Sequence, residues 1–78
     1  MDKRLTEKQE KVLLSIKRYI KKNKISPTIR ELCKINNVSS TQTIHDYLQR
    51  LKAKGYLTYI ENSGRSIVIL EEEEKNGK

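Results

Sequence analysis

The chain has few of the residues that cross-link a protein or anchor it in a membrane. Its 78 residues include one cysteine, one proline, three glycines and four tyrosines, with neither phenylalanine nor tryptophan. A single cysteine excludes an intramolecular disulfide, so a reducing, cytoplasmic environment is expected. No apolar run approaches the roughly 20 residues that a membrane helix needs, and no leader for export is recognisable. The sequence therefore predicts one small soluble domain with an aliphatic core.

Positive charge, in contrast, is abundant. The chain carries 17 Lys and Arg against 10 Asp and Glu, a net charge of +7. Residues 71–74 are all glutamate, and without residues 71–78 the balance becomes 15 against 6, or +9. Charge of this size attracts phosphate polyanions and speeds the encounter with them. Many small proteins are basic merely for solubility, so a nucleic-acid partner also requires a matching geometry.

Two segments begin with the pattern of a helix capping box. The first starts at Thr6, with Gln9 three residues later, and its apolar residues then recur at helical spacing, at Val12, Leu13, Ile16, Tyr19 and Ile20. Asn23 is predicted to end this helix in a left-handed conformation. The second starts at Thr28, has Glu31 three residues later, and stops at Asn36 and Asn37, with its inward side formed by Ile29, Leu32 and Cys33.

A third helix follows a tight polar turn. Ser39 or Ser40 is placed to cap its start, and Gly55 to terminate it. Its buried side is predicted to consist of Ile44, Tyr47, Leu48 and Leu51. Residues 56–60 and 66–70 are then rich in β-branched and aromatic residues and flank a turn-prone loop, which predicts a β-hairpin.

Three helices followed by a hairpin are the order of an α+β winged helix-turn-helix. We predict this three-helix domain over residues 1–70, with the C-terminal β-hairpin as its wing. A lone hairpin is only marginally stable, so it should pack against the helices. Residues 71–78 have no apolar anchor and are expected to form a disordered acidic tail or the start of a linker.

The outward face of the third helix carries the functional prediction. A solvated helix face is usually rich in Lys and Glu, whereas this face offers mostly uncharged hydrogen-bonding groups, on Ser40, Thr41, Gln42, His45, Asp46 and Gln49. Gln makes paired hydrogen bonds with adenine, Ser and Thr serve several bases, and Asp accepts from cytosine. In the major groove of double-stranded DNA this face would read bases. The alternative is an ordinary solvent-facing surface, with His45 as a histidine without a role.

Two other regions suit the DNA backbone. The helix N-termini near Thr28 and Ser40 offer backbone N–H groups to phosphates, and Arg30 belongs to the same predicted contact set. The loop of the hairpin is slim enough to approach a backbone or enter a minor groove, where arginine is favoured. Its residues are Asn62, Ser63, Gly64 and Arg65.

Catalysis and cofactor binding find little support. The sequence has no phosphate loop, no metal-ligand spacing and no Ser/His/Asp arrangement, and Asp46 points away from the only histidine. One His and one Cys provide no metal cluster, and Cys33 is expected in the core. Tyr19 and Tyr47 also fall on buried stripes. We therefore predict no enzyme activity, cofactor, metal site or small-molecule ligand.

Together these residues resemble the N-terminal DNA-binding domain of the LexA repressors, which regulate the SOS response to DNA damage. The matching pieces follow in order at residues 5–9, 26–32, 40–48, 51, 54–57 and 64–67. The resemblance implies a winged helix that binds a palindromic operator as a dimer and represses transcription. It implies base contacts by Ser40, Thr41, Gln42, Thr43, His45 and Asp46, wing contacts by Ser63, Gly64 and Arg65, and a phosphate contact by Lys54.

LexA proteins also carry a second domain, with a Ser/Lys self-cleavage centre and most of the dimer interface. Nothing after Leu70 could form such a domain. The chain is accordingly expected to be either one domain of a longer repressor or a complete small regulator of phage or mobile-element type. Self-cleavage and damage sensing are not carried over by the resemblance.

Two other functions remain open on the same fold. A protein-interaction module would expose a contiguous apolar patch, and none is recognisable in the sequence. An RNA-binding protein would need exposed aromatics for unstacked bases, whereas the four tyrosines are predicted in the core or hairpin. The expected partner is double-stranded DNA, with a second copy of the chain on a palindromic site and no membrane.

Overall fold

Three helices precede a two-stranded antiparallel hairpin in the computed structural model, which describes residues 4–70. The elements are α1 (Glu7–Asn23), α2 (Ile29–Ile35), α3 (Thr41–Ala53), β1 (Leu57–Thr58) and β2 (Val68–Ile69). This order confirms the α+β winged helix-turn-helix. Within the hairpin, the loop between the two strands, residues 59–67, is the part that we call the wing. The predicted tail, residues 71–78, lies outside the described residues.

The first two helices begin as predicted, each at a complete capping box. The Thr6 hydroxyl accepts from the Gln9 backbone N–H at 3.1 Å, and the Gln9 side chain accepts from the Thr6 N–H at 3.1 Å. Thr28 and Glu31 repeat the pair at 3.1 and 2.9 Å. These bonds satisfy N–H groups that have no partner inside a helix, so each start is determined locally.

The start of α3 differs from the prediction in one respect. Ser40 is the N-cap and has an extended backbone, but its side chain makes no capping hydrogen bond. Its carbonyl instead lies 3.7 Å from the Cys33 thiol, which donates to it. The Ser40 hydroxyl is exposed and is not committed to the helix start.

The helix ends depend on residues with positive φ. Asn37 (φ 57°) and Gly55 (φ 86°) end α2 and α3 as predicted. The end of α1 was predicted one residue too early, because Asn23 stays helical and donates its side-chain amide to the Tyr19 carbonyl at 3.2 Å. Lys24 takes the left-handed conformation instead, with φ 64°.

The core gathers around α3, which packs against α1, α2 and β1. The buried apolar side chains are Val12, Leu13, Ile16, Leu32, Ile44, Leu48, Leu51, Leu57, Tyr59 and Ile67. Ile20, Ile29, Cys33 and Tyr47, all predicted inward, pack against this cluster while partly buried. Tyr19 is only half-buried, and its hydroxyl takes part in a polar contact with the wing.

The hairpin is shorter than predicted. Only Leu57 pairs with Ile69, and Thr58 with Val68, as strand residues. Beyond them the Ser66 hydroxyl accepts from the Ile60 N–H at 2.8 Å, so a side chain replaces the expected pairing between strands. The wing thereby becomes a loop whose shape depends on side-chain contacts.

Thr28→Ala tests the local start of α2. We expect a loss of about 1 kcal/mol in the free energy of unfolding, because the Glu31 N–H loses its capping acceptor. Urea unfolding followed by circular dichroism measures the loss. Ser40→Ala is the matched control, since the Ser40 side chain makes no capping bond. Equal losses in the two variants would contradict the assignment of the caps.

Candidate DNA-binding surface

The outward face of α3 is polar and open to solvent. Ile44, Leu48 and Leu51 occupy the opposite, buried side of the helix. The exposed residues on and next to α3 include Ser40, Thr41, Gln42, Asp46 and Gln49, while Thr43 and His45 are half-buried. The Gln42 amide donates to the Asp46 carboxylate at 3.1 Å, one helical turn further on. This bond orients two predicted base-reading side chains relative to each other.

His45 connects α3 to the wing. Its Nε2 lies 3.6 Å from an Oε of Glu61, and its ring meets that of Tyr59 edge-on, with centroids 6.2 Å apart. With 29% of its side chain exposed, His45 is less available than Gln42 and is held at the junction of helix and wing. The glutamate beside it was not recognised from the sequence, because nothing local pairs residues 16 positions apart.

The start of α2, the middle of α3 and the wing enclose a groove of about 420 Å³. The groove brings together five of the predicted contact residues, Thr28, Arg30, His45, Ser63 and Gly64. Ile60 also lines it and is 67% exposed, so one wall of the groove is apolar. A Cβ added at Gly64 would meet nothing within 4 Å, which leaves the backbone of the wing tip open to a ligand.

Thr28 offers less to a phosphate than predicted. Its N–H and hydroxyl are both bonded to Glu31, in the capping box that starts α2. The available donors at this helix start are the next backbone N–H groups and the exposed guanidinium of Arg30.

Lys54 lies apart from the groove. As the C-cap of α3 it stands about 20 Å along the helix from Ser40. Its ammonium group donates to the Gln9 side chain at 3.0 Å and to the Arg4 carbonyl. Lys54 therefore connects the end of α3 to the start of α1, in addition to any phosphate contact.

Arg65 is turned toward the helices. Its guanidinium forms a bidentate pair with Glu31, at 3.1 and 3.0 Å, and also donates to the Ser26 carbonyl at 2.8 Å and the Tyr19 hydroxyl at 3.4 Å. Hydrogen bonds from the Arg65 side chain and the Thr28 N–H lower the pKa of Glu31 to about 2. Arg65 does not line the groove that contains Ser63 and Gly64. The arginine of the hairpin loop, which the sequence assigned to the DNA backbone or minor groove, is thus bonded to Glu31 of α2.

Two exposed apolar side chains lie outside the predicted DNA-binding surface. Leu14 and Ile35, 46% and 50% exposed, line a single depression between α1 and α2. Ile35 stands in the last turn of a short helix, and Leu14 follows the buried pair Val12 and Leu13, so neither reaches the core. The depression contains none of the predicted DNA contacts.

Residues 4–70 contain neither a cluster of metal ligands nor a membrane-spanning helix. No three His, Cys, Asp or Glu side chains in this range form a group suited to a metal ion. None of the helices in the same range is both long and apolar enough to cross a membrane.

Comparison with known proteins assigns the fold to a family. The model of the LexA DNA binding domain matches residues 2–66. The chain belongs to the LexA DNA-binding domain family. The LexA repressor of Caldicellulosiruptor saccharolyticus is 40% identical over 73 residues, and that of Thermosipho melanesiensis is 40% identical over 72. The LexA repressor of Acetivibrio thermocellus is 32% identical over the whole chain.

The shared region covers 94%, 92% and 100% of this chain in these three comparisons, but 36% of each repressor. The chain therefore spans about a third of the length of the relatives it matches. Membership of the LexA DNA-binding domain family confirms the resemblance read from the sequence, and it places the polar face of α3 and the wing in a domain that binds DNA.

Proposed function

We propose that the chain is the DNA-reading part of a LexA-like transcriptional repressor of the SOS type, acting in the cytoplasm. In this proposal α3 lies in the major groove of an operator, and the wing meets the backbone or the minor groove. The observation that supports it most is the polar, exposed face of α3 in a strongly basic chain of the LexA DNA-binding domain family. The function is binding, without a catalytic step in this part of the protein.

Base reading is proposed for the exposed end of α3. Gln42 and Asp46 present amide and carboxylate groups whose relative orientation is set by their hydrogen bond. The Ser40 hydroxyl is free of a capping role and can turn to a base or a phosphate. The complete proposed set is Ser40, Thr41, Gln42, Thr43, His45, Asp46 and Gln49.

Backbone contacts are proposed on both sides of α3. The groove between α2 and the wing places Arg30 near Ser63 and Gly64, so one phosphate strand can follow it. Thr28 is proposed to contribute to phosphate binding through the start of α2, and Lys54 to touch phosphate at the far end of α3. Arg65 lies behind the loop that carries Ser63 and Gly64. Because a single copy covers one half-site, two copies on a palindrome are proposed as the working assembly.

Selection of bound sequences from a random duplex pool tests this function directly. An inverted repeat is expected, with half-sites separated by about one helical turn, 10–10.5 base pairs. Affinity should fall steeply with salt, with a slope in log–log form of about −0.9 for each phosphate contacted. Recovery of no motif, together with binding that does not depend on salt, would exclude the proposal and leave the protein-interaction alternative.

A further inference from the structure

The wing is held against the helices by one arginine with acceptors on three different segments. We call Arg65 and its partners Tyr19, Ser26 and Glu31 the wing anchor. Arg65 bonds both carboxylate oxygens of Glu31 and, in addition, the Ser26 carbonyl at 2.8 Å. Next to it, the Ser26 hydroxyl accepts from the Ile67 N–H at 3.0 Å, and Ser26 is buried. The wing is thus fixed at two successive points.

Glu31 is the central member of the wing anchor. One carboxylate oxygen accepts from both the Thr28 N–H and Arg65, and the other also accepts from Arg65. The same side chain therefore completes the start of α2 and orients the wing. These are the two walls of the groove proposed to follow a phosphate strand.

We propose that Glu31, although it carries a charge that repels phosphate, is a positioning residue for DNA binding that acts through Arg65 to set the distance between the wing and α2. This inference rests on the proposed function. A hairpin with only two paired residues on each strand cannot hold a loop rigidly by itself. A contact surface whose supporting residues are loose loses affinity even when every contact residue is present. Glu31 therefore acts on the DNA without touching it.

Glu31→Gln is the decisive variant. Glutamine keeps an oxygen that can accept from the Thr28 N–H, since Gln also completes a capping box, so the start of α2 is preserved. It loses the carboxylate that pairs with both ends of the guanidinium. Glu7→Gln is the matched control, because Glu7 is exposed in the first turn of α1 and loses the same charge outside the wing anchor.

Glu31→Gln removes a negative charge and also loosens the wing, and these two effects should change the affinity for DNA in opposite directions. Removal of a negative charge alone should tighten binding to DNA slightly, as expected for Glu7→Gln. Loss of wing positioning should weaken binding of Glu31→Gln to the selected operator duplex at least about tenfold. The salt slope should also become shallower by about 0.9 for each wing phosphate lost. Partial unfolding would reduce the active fraction and leave that slope unchanged.

Arg65→Lys and the double variant show whether Arg65 acts through Glu31. If it does, the double variant binds no more weakly than the weaker single variant, because each substitution already removes the bidentate Arg65–Glu31 pair. Additive losses would show that the two residues act separately, and they would overturn the inference. Equal affinities of Glu31→Gln and Glu7→Gln, or a weaker Glu31→Gln with an unchanged salt slope, would overturn it as well.

Amide exchange separates failure of this inference from failure of the proposed function. Exchange at the Ile67 N–H should be faster in Glu31→Gln than in Glu7→Gln, because the anchored wing opens more often. If the unchanged chain selects no DNA motif, the proposed function fails, and this exchange result still supports or refutes the anchor. If the unchanged chain selects a motif and Glu31→Gln binds it as tightly as Glu7→Gln does, only the inference fails.

Discussion

Replacement of Ile44 by alanine is expected to lower the free energy of unfolding by about 2–5 kcal/mol. Ile44 is fully buried in α3, where the helix meets the rest of the core. The loss combines the apolar surface returned to water with the cavity that the smaller side chain leaves. Because a small domain is stable by only roughly 5–15 kcal/mol, this single change removes a large part of the total.

Urea unfolding of three variants compares the loss of unfolding free energy when isoleucine is shortened at a buried and at an exposed position. Ile35→Ala removes the same atoms from a side chain that is 50% exposed, and it should cost about 1 kcal/mol or less. Ile44→Val, which deletes one methylene in the core, should cost about 0.5–1.5 kcal/mol. Similar losses for Ile44→Ala and Ile35→Ala would contradict the burial of α3 against the core.

The second large effect is expected on base recognition. Gln42→Ala should weaken binding to the preferred operator by about 1–3 kcal/mol and relax the preference at one or two base pairs. Gln42 is exposed, and alanine is the stronger helix former, so the fold should not be weakened by the change. The lost affinity can then be assigned to the missing amide and to the freed Asp46 carboxylate.

Arg30→Ala provides the contrast for Gln42→Ala. Its side chain is exposed at the groove between α2 and the wing, where the proposed partner is phosphate. It should weaken all duplexes alike and reduce the magnitude of the salt slope by about 1. Titration of both variants with the selected operator and with single-base substitutions distinguishes the two patterns. A uniform loss for Gln42→Ala would show that α3 does not read bases at this position.

Short-range features of the fold were predicted well because their causes lie within a few residues. The two capping boxes each join residues three apart, and Gly55 needs only its own missing Cβ to adopt a positive φ. Helical periodicity likewise identified the buried side of α3. The two local differences each concern a single residue: the left-handed residue that ends α1 is Lys24, one residue after the predicted Asn23, and Ser40, although it is the N-cap of α3, makes no side-chain capping bond.

The candidate site was predicted less completely than the fold. The polar face of α3 follows from periodicity alone, since a residue that is not buried on a helix must face outward. The pairing of His45 with Glu61, and of Lys54 with Gln9, joins residues 16 and 45 positions apart. No local pattern selects such partners.

The sequence by itself determined three helices, two of them with capping boxes, their buried faces, a following hairpin and an excess of positive charge. These properties depend on local hydrogen bonds, on side-chain periodicity and on composition. Only the tertiary structure decided that Arg65 turns to Glu31, and that the wing forms a wall of the same groove as α2. Packing of the helices brings the two charges together across 34 positions of chain, because the core decides which surfaces become neighbours.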